Sequence, residues 1–245
     1  MQAIVDRGVV YFNMGPDHYA DALNAFTAAW QSGTFDQRIF YYSGILYENL
    51  SLFSEAEKEY DRFLRHEPND REVRLRLARL LFKMGKWEDA IARYQEFLQE
   101  NDKDVTSLVN CGLAYQKKVE LVQLSKKKLS DQEKAAMNSD LTQSMNYLEA
   151  AARLQPNLPD GIYLVMAKVY AQTGDLPKTI TACEYEVHKS SNPTEALQLL
   201  AVSYEKSNQK DKALEAYAQL SLRQPQNQTL LRKIRILKRQ LAIKK

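Results

Sequence analysis

A step of 34 residues runs through this chain and limits what it can fold into. Ala56, Tyr60 and Phe63 recur as Ala90, Tyr94 and Phe97, and the same step backwards reaches Ala22, Phe26 and Ala29. Towards the other end, Ala167 and Tyr170 recur as Ala201 and Tyr204. Within each stretch the apolar residues fall at i, i+3, i+4 and i+7, the spacing of one helix face. Each period therefore reads as two amphipathic helices. One such pair cannot bury its apolar face alone, but a stack of pairs makes a continuous core.

Composition agrees with an all-helical chain. Its 8 glycines and 7 prolines in 245 residues are too few for a β-rich or low-complexity sequence. No stretch approaches the roughly 20 apolar residues of a membrane span, and the N-terminal MQAIVDRGVVYFNMG lacks a signal-peptide pattern. The chain as given reads as soluble and cytoplasmic; a piece cut from a longer protein would hide any targeting segment. Cys111 and Cys183 stand far apart, outside any CxxC pair, at helix-core positions where buried thiols are expected.

The pattern resembles the tetratricopeptide repeat, W-x2-L-G-x2-Y, then A-x3-F, then P. Six units are expected. The first, 1–36, carries Gly8, Tyr11, Ala22 and Phe26 with two extra residues in its turn. The second, 37–70, has Gly44, Tyr47, Ala56, Tyr60, Phe63 and Pro68. The third, 71–104, has Ala78, Gly85, Ala90, Tyr94 and Phe97, with Asp102 in the place of the proline. The remaining units are 105–158, 159–193 and 194–227, and the basic amphipathic stretch 228–245 reads as a capping helix with Leu230, Ile234, Leu237 and Leu241 as its stripe. The resemblance implies an α-solenoid wound into a right-handed superhelix as one continuous domain. Small residues such as Gly44 and Ala56 let paired helices approach, and rings such as Tyr60 fill the space between pairs.

The fourth unit is long. Tyr47 to Ala56 is 9 residues but Tyr115 to Ser144 is 29, so about 20 residues are added. The added segment has no Gly or Pro, and Ser130-Asp131-Gln132-Glu133 forms a capping box that starts a helix. Leu113, Lys117, Leu121 and Leu124 continue one helix face before it, and Met137, Leu141, Met145 and Leu148 form another after it. A lengthened helical hairpin projecting by about 15 Å is expected; a flexible basic loop is the alternative.

Catalytic signatures are missing from the sequence. It contains no GxxxxGK[ST], GxGxxG or HExxH, and His18, His66 and His188 are scattered near helix ends. Paired acids such as Glu55 and Glu59 read as a solvated helix face. No enzyme activity, cofactor or metal site is expected.

In the family it resembles, the first helices of successive units line a concave groove that holds an extended peptide or a partner helix. Carried onto this chain, the inner positions are Tyr41, Ile45, Glu48 and Asn49, with Tyr42 beside them; then Arg76, Arg79 and Lys83; then Asn110, Leu113 and Lys117; and Leu164 and Lys168. Arg76, Arg79 and Lys83 at i, i+3 and i+7 put three positive charges on one helix face. The expected partner is a protein segment with acidic and apolar side chains. Some family members hold a chaperone's C-terminal carboxylate in a clamp; the matching positions here are Val5, Val9, Tyr42, Glu72 and Arg76, of which only Arg76 conforms, so that role is not expected. After Glu215 no acidic residue follows, while Arg223, Arg232, Lys233, Arg235, Lys238, Arg239, Lys244 and Lys245 do. The alternative function is therefore an adaptor for nucleic acid or an anionic membrane surface, working through that basic end.

Overall fold

A computed structural model describes residues 2–125 and 128–242. Among the described residues the chain is thirteen α-helices and no strand. Lys244 and Lys245 of the basic end, and the middle of the inserted segment, lie outside the described residues. The chain divides into two compact units, 1–114 and 115–245.

The N-terminal unit contains α1 (Gln2–Met14), α2 (Tyr19–Gln31), α3 (Gln37–Asn49), α4 (Phe53–His66), α5 (Arg71–Lys83), α6 (Trp87–Glu100) and the first half of α7 (Val105–Leu124). They pack as antiparallel pairs, α1 with α2, α3 with α4 and α5 with α6, and α1 also touches α3. The recurring residues of the sequence form the core: Ala22, Phe26, Ala56, Tyr60, Ala90, Tyr94 and Phe97 are all fully buried. Small residues set the spacing. A Cβ built on Gly44 would lie 2.5 Å from Cε1 of Tyr60, and one on Gly8 would lie 2.6 Å from Cε1 of Phe26. Only a glycine allows rings this close to the helix axis.

The turns between paired helices repeat as faithfully as the core. Ser51, Gly85, Gly174 and Asn208 each take a positive φ, between 59° and 82°, and they stand in two pairs 34 residues apart. Behind each, a backbone N–H reaches back across the turn: Leu52 to Tyr47 at 2.8 Å, Lys86 to Leu81 at 3.0 Å, Asp175 to Tyr170 at 2.9 Å and Gln209 to Tyr204 at 2.8 Å. These bonds satisfy carbonyls that a helix end leaves open, and they reverse the chain tightly enough for its second helix to fold back.

The C-terminal unit contains the rest of α7, then α8 (Asp131–Leu154), α9 (Ile162–Thr173), α10 (Leu176–Lys189), α11 (Thr194–Lys206), α12 (Lys210–Arg223) and α13 (Gln228–Ala242). The inserted residues lengthen both helices of their pair: α7 has 20 residues and α8 has 24, against 13 and 14 in α5 and α6. The capping box is present, with Ser130 and Glu133 each receiving the other's backbone N–H. Val119 and Leu141 pack with Val169 of α9 in a small core flanked by Met137 and Met145. Farther along α7 the expected stripe leaves the core, and Leu124 is 74% exposed. Both cysteines are buried and free, and burial pushes the Cys183 thiol up to about 12. In α13, Leu230 and Leu237 are buried and Lys233 reaches Glu205 at 2.6 Å, while Arg232, Arg235, Lys238 and Arg239 stay exposed.

Candidate functional site

The inner positions named from the sequence fall on α3, α5 and α7 in the N-terminal unit, with Lys117, Leu164 and Lys168 in the C-terminal unit. Side chains on one face join α3 to α5. The Tyr41 hydroxyl donates to Glu72 Oε1 at 2.9 Å, and Lys83 Nζ donates to Glu48 Oε1 at 2.7 Å. Arg76 holds the same Glu72 at 2.9 Å, and its hydrogen bond, with that of Tyr41, keeps the Glu72 carboxyl below the usual carboxylate range. Glu48 also accepts from the Tyr60 hydroxyl at 3.0 Å.

These contacts change the electrostatic reading. Two of the three charges expected to stand free, Arg76 and Lys83, are neutralised within the chain by Glu72 and Glu48. Arg79 is exposed and makes no ion pair among the described residues. The positive character of this face therefore centres on one guanidinium.

The other named positions divide between packing and exposure. Ile45 is only 9% exposed, so it supports the face more than it meets a guest. Tyr42 is half-buried, its ring 4.9 Å from that of Phe12 and 5.9 Å from that of Phe26. Asn49 is exposed and donates to the Tyr19 hydroxyl at 3.2 Å. Asn110 and Leu113 are half-buried. In the C-terminal unit, Lys117 pairs with Glu120 and Lys168 with Glu195, each at 2.7 Å, and Leu164 is half-buried.

The sequence marks Glu72 only as a clamp position that does not conform, and it is silent about the tyrosine hydroxyls of α4 and α6. The period of Tyr60 and Tyr94 places their rings in the core, where both are buried, but it says nothing of the oxygen atoms. A signal was present, since residue 48 is Glu while residue 82, one period on, is Phe.

Elsewhere in the C-terminal unit a cleft of about 910 Å³ opens between α10, α11 and α12, lined by Glu184, Tyr185, His188, Tyr204, Lys212 and Gln219 among others. No group of three or more His, Cys, Asp or Glu side chains is arranged to hold a metal among the described residues, and no described helix is long and apolar enough to cross a membrane.

Repeated antiparallel helix pairs, a turn that recurs every 34 residues and side-chain bonds that join first helices define a helical-repeat scaffold. Models of the tetratricopeptide repeat match residues 51–109 and 195–227. In those two segments the chain carries tetratricopeptide repeats. Among curated relatives, the photosystem I assembly protein Ycf3 of Synechococcus sp. (strain CC9902) is 35% identical over 82 residues, 32% of this chain and 47% of that one. A TPR repeat-containing protein of Methanocaldococcus jannaschii is 26% identical over 102 residues, 40% of this chain and 32% of that one. The chain thus spans half or less of the length of these relatives. Among solved structures, MamA matches with a TM-score of 0.60 at 19% identity, over 74% of this chain and 94% of its own. PilF of Pseudomonas aeruginosa matches with a TM-score of 0.59 at 15% identity, over 100% of this chain and 97% of its own. At these identities the likeness is one of fold. Proteins of this family are scaffolds for protein–protein interaction and typically carry no catalytic activity.

Proposed function

We propose that this chain is an adaptor that holds an extended peptide or a helix of a partner protein against the face formed by its first helices, with acidic and apolar side chains as the guest's contacts. The observation that carries the reading is the exposed Arg79, which has no ion pair among the described residues, on a face where Arg76 and Lys83 are neutralised internally. The first helices also present the half-buried rings of Tyr41 and Tyr42, packed edge-on at 5.1 Å, and the half-buried Leu113. Arginine and tyrosine are the side chains most often found at the energetic centre of an interface, and a groove lined by helices is a common way to recognise a helix or peptide. The partnership of Ycf3 with photosystem I assembly is a precedent for an assembly role on this repeat type. The packing of Leu230 and Leu237 supports a capping role for α13 over nucleic-acid or membrane binding.

A photo-crosslinking amino acid placed at Asn49 or Lys83, on the first-helix face, should capture a defined polypeptide from native lysate. The same group at Lys58 or Gln99, exposed on second helices, should not. Capture at Gln219 in the cleft of the C-terminal unit, with none at Asn49 or Lys83, would move the function to that cleft.

A further inference from the structure

The groove between two successive second helices occurs in both units, and the two copies differ in what fills them. Helices α4, α5 and α6 recur as α10, α11 and α12 with every boundary shifted by 123 residues, so that Phe53–His66 becomes Leu176–Lys189. In the N-terminal unit the groove encloses about 380 Å³ and is lined by Asp61, Leu77, Leu81, Arg93 and Glu96 among others. Arg93 supplies its cation, 3.8 Å from Asp61 and 3.5 Å from Glu96. In the C-terminal unit the same shift puts the buried Ala216 in the place of Arg93 and Glu184 in the place of Asp61. The groove there is the cleft of about 910 Å³ between α10, α11 and α12. Its lining from α11 is apolar, with Leu197, Leu200 and Tyr204 all buried. Glu184 accepts from the Tyr204 hydroxyl. Neither Glu184 nor the exposed Glu215 makes an ion pair among the described residues. The rim also carries His188 and Lys212, and the Lys212 ammonium stands over the Tyr204 ring, 5.5 Å from its centre. This groove therefore keeps a carboxylate where its counterpart has one, but lacks the arginine that fills and neutralises that counterpart.

A complementary surface lies on α13. That helix packs on α12 through a face that includes the buried Leu230 and Leu237. A different face carries Arg232, Arg235, Ile236 and Arg239 at i, i+3, i+4 and i+7, and all four are exposed. The three arginines make no ion pair among the described residues. An apolar side chain set among guanidiniums matches a cleft with an apolar lining and carboxylates at its rim, and such matching of charge selects a partner and its register. Within its own chain that face of α13 is turned to solvent, so the cleft it fits is another copy's. We propose that α13 of one copy docks in the cleft between α10, α11 and α12 of a second copy. An arginine of the docking face takes the place that Arg93 fills in the N-terminal unit, with its guanidinium against Glu184 and Glu215. Tyr185 offers a flat neighbour for the arginine stem: its ring is 52% exposed and is stacked at 4.8 Å on the buried Tyr163. Ile236 covers the apolar lining. Cleft and helix are different surfaces, so the contact runs head to tail. It uses none of the residues named for peptide binding on the first helices, and it stands or falls apart from that reading.

The test is sedimentation velocity of the full chain over a rising concentration series. The parent chain should associate, and less so as salt rises, because charges at the rim of the contact are screened. A cleft variant, Glu184→Gln with Glu215→Gln, should associate about tenfold more weakly, as the loss of charge-assisted hydrogen bonds requires. A helix variant, Arg232→Gln with Arg235→Gln and Arg239→Gln, should lose a similar factor. Mixing the two variants should restore association, because the intact α13 of one meets the intact cleft of the other, and it should stop at a pair. Glutamine at residue 184 keeps an acceptor for Tyr204, and Tm at low chain concentration checks both folds. If the cleft variant is less stable, Glu215→Gln alone, at an exposed position, carries the test. A photo-crosslinking residue at Gln219 should join a second copy through residues 228–242. A parent chain that sediments as a monomer throughout, association indifferent to both variants, or a mixture that associates no better than its components would overturn the proposal. Crosslinks from Gln219 to a different protein in native lysate, with none to a second copy, would overturn the second copy as the occupant of the cleft.

Discussion

Replacing Gly44 by alanine should destabilise the N-terminal unit, although glycine to alanine inside an exposed helix is stabilising by about 1 kcal/mol through backbone entropy. The added methyl would sit 2.5 Å from Cε1 and 2.7 Å from Cδ1 of Tyr60, about an ångström inside normal contact. Tyr60 has little room to yield. It is fully buried, and its hydroxyl is tied to Glu48, which Lys83 holds from α5 at 2.7 Å. Overpacking of this kind costs about 1–3 kcal/mol, so after the entropic gain the variant should be about 0–2 kcal/mol less stable than the parent. At roughly 2–4 °C per kcal/mol for a chain of this size, Tm falls by a few degrees, where an unobstructed helix would gain a few. One period on, Ala78 stands in place of Gly44 and the Tyr94 hydroxyl has no tether. Cutting the tether with Tyr60→Phe should therefore cost less in the Gly44→Ala background than in the parent, a coupling that a double-mutant cycle measures. Urea unfolding followed by circular dichroism, at unchanged m-value, is the assay. A Gly44→Ala chain about 1 kcal/mol more stable than the parent would show that the ring does not press on the α3 backbone, and the close-approach argument would fail.

Three further outcomes are expected. Ser130→Ala removes one half of the box that closes α8, and hydrogen exchange over the first turn of that helix should quicken by a factor matching about 0.5–2 kcal/mol; unchanged protection would mean the cap is idle. The Asp36 carboxyl is held below its usual range, chiefly by its hydrogen bond to the Arg38 side chain. A carboxyl lowered in the folded state stabilises fully above the ordinary range and loses that contribution as pH falls below about 4, so Tm should drop there. Asp36→Asn, which keeps the capping oxygen, should flatten that acid limb, and an unchanged profile would refute the assignment. Leu230→Ala with Leu237→Ala should lower Tm clearly, at about 2–5 kcal/mol for each buried leucine removed. Exchange of the exposed Arg232, Arg235, Lys238 and Arg239 for glutamine should leave Tm unchanged, and a chain that keeps its Tm but loses co-sedimentation with phosphatidylserine vesicles would make α13 a binding helix instead of a cap.

The amino-acid sequence alone determined the helix pairs, because their signal is local and repeated. Ala56, Tyr60 and Phe63 recur one period on, and Gly85 and Gly174 punctuate the turns at the point where a left-handed residue is required. It also placed the capping box at Ser130, whose two bonds lie within four residues. The turn at Ser51 was less legible, since nothing local marks a serine for a positive φ; its counterpart Gly85 reveals it only by register. Tertiary structure decided the charge of the candidate face. Arg76, Arg79 and Lys83 look alike along α5, yet their partners differ: Glu72 lies one turn away on the same helix, Glu48 comes from α3, 35 residues earlier in the chain, and among the described residues no carboxylate pairs with Arg79. Likewise a periodic pattern says that Tyr60 and Tyr94 are buried, because burial follows from the helix face. Whether each hydroxyl finds an acceptor depends on which side chain another helix brings to it, and that is a property of the packed structure.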